Sequence, residues 1–132
     1  MKGFITSDIE GLVEKNRDFR RVLCTGKNLQ LVMMSLLPGE AIGEGVQESH
    51  DQFFRVEQGE GGVRIDGISS RIGTDHAVIV PASARHNLVN AGEESLRLYT
   101  LCALPANRDG LVHATEADAE ASDEHFDGKT SQ

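Results

Sequence analysis

The chain is 132 residues long, carries a formal net charge of −8 and has two cysteines, no tryptophan and one tyrosine. That length supports one domain able to bury about two-thirds of its unfolded surface. The acidity excludes nucleic acid and anionic membranes as partners, since both call for basic surfaces, and no run approaches the ~20 apolar residues of a membrane span.

Residues 1–16 read as an N-terminal helical segment. The opening "MKGFITSDIEGLVEK" has an early lysine but neither a continuous apolar core nor a small-residue cleavage site, so it is not read as a secretory signal. Within "TSDIEGLVEKN", Ser7 stands as the cap with Glu10 at capping-box spacing, and Ile9, Leu12 and Val13 share one face.

From residue 17 to 105 short apolar runs alternate with turn residues: "FRRVLC", then "TGKN" as a turn, then "LQLVMMSLL" up to Pro38-Gly39. "DQFFRVE" ends at "QGEGG", and "VRIDGISSRI", "AVIVP", "HNLVN" and "LRLYTLCAL" complete the series. Strands of this length and spacing predict an antiparallel sandwich or barrel. "LQLVMMSLL" is apolar on both faces, as a strand buried between two copies of a homodimer would be. The glycines of "GEGGVRIDGISS" read as two successive turns around a strand, because the Walker lysine of a phosphate loop is absent and no helix follows. Cys24 and Cys102 form no CxxC and sit among apolar neighbours, which predicts buried thiols and a cytoplasmic, reducing location.

Residues 106–132 form an acidic C-terminal tail, read as packing on the barrel or partly disordered. Thr115 and Asp118 stand at capping-box spacing for a short helix there, and His113 and His125 are expected to be solvated.

Two groups of these residues resemble the motifs of the cupin superfamily. Pro38-Gly39, His50-Asp51-Gln52 and Gly59-Glu60-Gly61 resemble the first motif, and the interval from Gln52 through "FFRVEQ" to Gly59 is intact. "PASARHNLVN" resembles the second, with Pro81, Ser83, His86 and Asn90 in the motif's places. "DQFFRVEQGEG" and the terminal "DEHFDGKT" are further similar to small single-domain cupins labelled mannose-6-phosphate-isomerase-like. The resemblance implies an all-β fold, a double-stranded β-helix (jelly-roll) barrel, often dimeric, with a ligand and metal cavity inside.

The resemblance also implies four metal ligands: two His and one Glu from the first motif, one His from the second. His86 carries over, whereas Gln52 stands in the glutamate's place, Gln47 in the second histidine's and Gly45 in the first histidine's. An amide oxygen is a weaker, neutral ligand and a glycine supplies none. Strand alternation offers a substitute set. If the strand extends back far enough, Glu48, His50 and Gln52 share the inward face with Phe54 and Val56, while Asp51, Arg55 and Glu57 point outward. His50, Gln52, His86 and Glu48, with Glu44 as an alternative carboxylate, would then hold a divalent transition metal such as Zn, Fe, Mn or Ni. The other reading is an empty polar cavity in which Gln52 satisfies buried backbone groups.

Gln47, Phe54 and Arg85 are the candidates for contact with a small-molecule ligand, and Glu48 is the candidate base. His76 reads as an exposed turn residue; Asp75 and Ser83 stand where turn glycines are usual. Three functions remain open: a metal-dependent cupin with isomerase- or dioxygenase-type chemistry on a small polar metabolite, a metal-free ligand-binding or sensing module, and a structural dimer module. No Ser-His-Asp or Cys-His order is legible, so nucleophilic catalysis has no support.

Overall fold

In a computed structural model, which describes residues 2–132, the apolar runs become strands of two antiparallel sheets. The elements are α1 (Ile9–Lys15), β1 (Arg20–Thr25), β2 (Gln30–Leu36), β3 (Gly45–Val46), β4 (Gln52–Gln58), β5 (Glu60–Ile65), β6 (Ile68–Gly73), β7 (Ala77–Val80), β8 (Arg85–Val89), β9 (Leu96–Cys102), β10 (Val112–His113) and α2 (Glu116–Ala121). The larger sheet runs β10-β1-β2-β9-β4-β7 and the smaller β3-β8-β5-β6. Alternating side chains of both sheets meet between them: Val32, Leu36, Phe54 and Leu98 from the larger, Val63, Ile72 and Leu88 from the smaller. Each such side chain, fully buried, contributes roughly 1.5–3 kcal/mol.

The turns follow from their residues. Asp66 and Gly67, joining β5 to β6, both have positive φ (48° and 83°), the requirement of a type I′ hairpin. Between β4 and β5, Gly59 has φ 101°, and a Cβ placed there would lie 2.7 Å from the Ser95 carbonyl oxygen. At Gly61 a Cβ would lie 2.6 Å from the Val89 carbonyl oxygen. Asn90, buried beside this corner, donates from Nδ2 to the Leu36 and Glu94 carbonyls and accepts from Gly92 N–H. Its own carbonyl accepts from Gly39 N–H, tying the Pro38-Gly39 turn to β8.

Several expectations change. Asp8, not Ser7, caps α1, accepting from Gly11 N–H at 2.9 Å. Glu57, expected to point outward, is nonetheless buried, because α1 packs over β4 and β9, and a register irregularity between Val56 and Gln58 sits at this point of β4. Burial raises the Glu57 carboxyl above its ordinary value of 4.5, opposed by Arg55 Nη2 at 3.3 Å. The double-faced burial of β2 has a source within the chain. Ser35 N–H donates to the Asp18 and Phe19 carbonyls of the segment after α1, and Met33 is paired between Arg21 and Tyr99.

The chain beyond Pro105 is anchored rather than loosely laid. β10 pairs with β1, and Ser131 both donates to and accepts from the Thr25 backbone. Gln30, with no exposed surface, donates to Thr25 Oγ1 and the Asn107 carbonyl and accepts from Ala106 and Asn107. His113, expected in solvent, is buried, whereas His125 and His76 are exposed. Thr115 caps α2 through Asp118 N–H, as its spacing predicts.

Candidate functional site

Between the sheets, at the end away from the Gly59 corner, lies a cavity of about 220 Å³. Its polar lining comes from Arg20 on β1, Gln47 between β3 and β4, Gln52 at the start of β4, His86 on β8, and Thr100 on β9. Its apolar lining includes Val32, Met34 and Ile42, and Gly45, Cys102 and the Ala106–Asn107 segment complete it. Larger depressions near Glu60, Ser69–Gly73 and Glu93–Glu94 contain none of the motif's ligand positions.

Pairing explains why these residues meet. Gly45 stands opposite His86 in the β3–β8 ladder, and Gln52 stands opposite Cys102 in β4–β9 and Val80 in β4–β7. Ser83 N–H donates to the Gln47 carbonyl at 2.7 Å, and its hydroxyl donates to the Glu48 carbonyl at 3.3 Å. Asp51 accepts from Ala82 N–H at 2.8 Å. The loop before β8 therefore holds the segment that presents Gln47. Ser83 does so with φ 74°, the left-handed conformation that favours glycine.

Inside the cavity Gln52 Nε2 donates to Thr100 Oγ1 at 3.1 Å and approaches Cys102 Sγ at 3.7 Å. That leaves Oε1 free to meet an occupant. His86 is 5% exposed, its Nδ1 3.3 Å from the Ala84 carbonyl oxygen, so Nε2 is the nitrogen left for the cavity. Burial pushes the Cys102 thiol up, against a hydrogen bond from Thr100 and the charge of Arg20. A thiol so shifted stays protonated, and is neither a thiolate ligand nor a nucleophile at neutral pH.

The four positions that the motif resemblance sets in the places of metal ligands, Gly45, Gln47, Gln52 and His86, thus line one cavity. The substitute carboxylate and imidazole do not join them. The extended conformation begins at Gln52, and the chain bends at Glu48 and Ser49, so alternation does not carry back along it. Glu48 and Glu44 are exposed, and none of Glu44, Glu48 or His50 lines the cavity. His50 Nδ1 instead lies 3.3 Å from Ser49 Oγ. Arg85 is exposed, one residue out of phase with His86. Phe54 is wholly buried core, its ring centroid 6.2 Å from that of His86, and does not line the cavity.

As a metal centre the donor set is poor: one imidazole, amides, a neutral thiol and a hydroxyl, with a cationic Arg20 and no carboxylate. A dication is held by anionic or imidazole donors, which here are short in number and opposed in charge. Among the described residues, no group of three or more His, Cys, Asp or Glu side chains is placed to hold a metal ion. Arg20 and Thr100 escaped the reading of the sequence, although alternation marks both: Arg20 shares a face with buried Val22, and Thr100 with buried Leu96 and Leu98.

Comparison with known proteins agrees with this architecture. Residues 32–102 match the family described as Cupin domain. The uncharacterized protein YrkC of Bacillus subtilis is 38% identical over 129 residues, spanning 93% of this chain and 69% of that one. The crystal structure of BH2720 from Bacillus halodurans superposes with a TM-score of 0.88 at 38% identity, covering 92% of this chain and 96% of that chain. A Klebsiella pneumoniae protein described as having a double-stranded β-helix domain shares the fold at a TM-score of 0.65 and 19% identity, covering 77% of this chain and 90% of that chain.

Proposed function

The chain belongs to the cupin domain family, and on that premise we propose that it is a ligand-binding cupin whose cavity works without a resident metal. The observation that carries this reading is the lining itself: the family's ligand positions reach the cavity, but as Gly45, Gln47, Gln52 and His86. Amides and an imidazole are donors and acceptors suited to a small polar molecule. Glu48, the candidate base, is exposed and away from the cavity, so isomerase-type proton transfer has no carboxylate to act there. A mannose-6-phosphate-isomerase-like activity is accordingly not part of the proposal. Two free cysteines fit a reducing cytoplasm, and no helix of the described residues is long and apolar enough to cross a membrane.

Elemental analysis of the purified chain, followed by titration with Zn, Mn, Fe and Ni at micromolar concentration, tests the reading. It predicts metal far below one per chain and no saturable uptake. Stoichiometric metal that is lost in His86→Ala would overturn it.

A further inference from the structure

The cavity contains a cation and no anion. None of its lining residues is Asp or Glu, although the chain carries 21 of these against 13 Lys and Arg. Arg20 is half-buried and belongs to none of the ion pairs among the described residues. Its guanidinium carbon lies 5.5 Å from the centroid of the Phe19 ring, and Nη1 lies 3.5 Å from His113 Nδ1. His113 is buried, and burial together with Arg20 pushes its pKa below 6.5, so at neutral pH Nδ1 can accept from the guanidinium. Glu116 and Glu120 line a neighbouring groove that Arg20 also borders. Glu116 is committed to Ala41 N–H at 2.9 Å, and neither carboxylate comes within ion-pair distance of Arg20.

A partly desolvated guanidinium without counter-charge is a cost that an anionic occupant would offset. Its planar fork matches a carboxylate, and arginine stays charged even where burial lowers its pKa. The remaining walls describe the rest of the occupant. Gln52 Oε1 offers an acceptor for a hydroxyl or amine, while Val32, Met34 and Ile42 offer an apolar surface for a carbon skeleton, which an inorganic anion lacks. The volume of about 220 Å³ lies below the roughly 300–1,000 Å³ of drug-sized ligand sites.

We propose that the cavity binds a small organic carboxylate, its carboxylate on Arg20, its polar substituent on Gln52 and His86, and its carbons against Val32, Met34 and Ile42. This deepens the metal-free reading and rests on it. Arg20 is the specificity residue, and His113, delivered by β10, is its positioning residue.

Calorimetric titration of the full chain tests the proposal, with lactate, glycolate and malonate as carboxylates, lactamide as the matched neutral compound and inorganic phosphate as the other oxyanion. The expected result is saturable binding of at least one carboxylate, with lactamide weaker by roughly tenfold or more. Arg20→Gln should lose carboxylate binding by a similar factor and Arg20→Lys by less. Arg21→Gln, at an exposed arginine paired with Asp18, should change nothing. Equal binding of lactate and lactamide, or undiminished carboxylate binding by folded Arg20→Gln, would overturn the carboxylate assignment and leave a metal-free site for a neutral ligand. Binding of phosphate alone, or of no compound at millimolar concentration, would overturn it as well. One metal per chain in the same sample would instead contradict the metal-free reading beneath it.

Discussion

The two ends of the space between the sheets are shaped by different constraints. At the Gly59 corner, the residues that shape the backbone match the family's motifs: Gly59, Gly61, Asn90 and the Pro38-Gly39 turn all make the contacts their places demand. At the cavity end, the positions that resemble the family's ligand places are occupied by Gly45, Gln47, Gln52 and His86. The corner is constrained by backbone atoms a few ångströms away, which no substitution can move. The cavity-lining side chains border open space instead. Scaffold and chemistry are therefore separable along a single pair of motifs.

The largest expected effect lies at the corner. Gly59→Ala adds a Cβ 2.7 Å from the Ser95 carbonyl oxygen while keeping φ at 101°; backbone strain and overpacking together predict a loss of about 3 kcal/mol, measured by urea denaturation. Asn90→Ala comes next. It leaves the Leu36 and Glu94 carbonyls and Gly92 N–H without their partner, at about 2 kcal/mol by the same measurement. Neither change touches a cavity-lining residue. An undiminished stability in both would end the claim that this corner is fixed by backbone geometry.

This contrast also explains how much the sequence disclosed. Strands β1, β2 and β4 to β9 were legible because alternation and turn residues act locally, and the Asp66-Gly67 hairpin announced itself by residue type. β3 and β10, two residues each, were not legible, since each exists only by pairing with a distant strand. The shifted metal set failed for a related reason. It assumed that strand geometry extended back from Gln52, whereas the chain bends at Glu48 and Ser49, and hydrogen bonds from Ala82 and Ser83 hold the Gln47–Asp51 segment. Arg20 carried a readable signal, the face it shares with Val22, but an arginine beside a second arginine reads as surface.

At the cavity end smaller effects are expected. Ser83→Gly removes a side chain from φ 74° at the cost of one 3.3 Å hydrogen bond, and should raise stability by about 0.5–1 kcal/mol in thermal unfolding. The smallest effect concerns pH. Because the folded His113 pKa is lowered, the unfolded chain binds that proton first, so its contribution is fully present above 6.5 and is lost as pH falls towards the folded value. His113→Gln should flatten that part of the pH–stability curve relative to wild type. An unchanged slope of stability against pH below 6.5, with and without the substitution, would contradict the lowered pKa that burial and Arg20 give His113.

Metal uptake by a single variant tests the nature of the cavity most directly. A Cβ at Gly45 meets nothing within 4 Å, so the triple variant Gly45→His, Gln47→His, Gln52→Glu has room to restore the family's donors around His86. Elemental analysis after incubation with Mn, Fe, Ni or Zn should find about one metal per chain in that variant and far less in wild type. Equal stoichiometric loading of the wild type, or a folded triple variant that takes up none, would contradict the claim that this cavity is a cupin metal position rebuilt to hold a ligand without one.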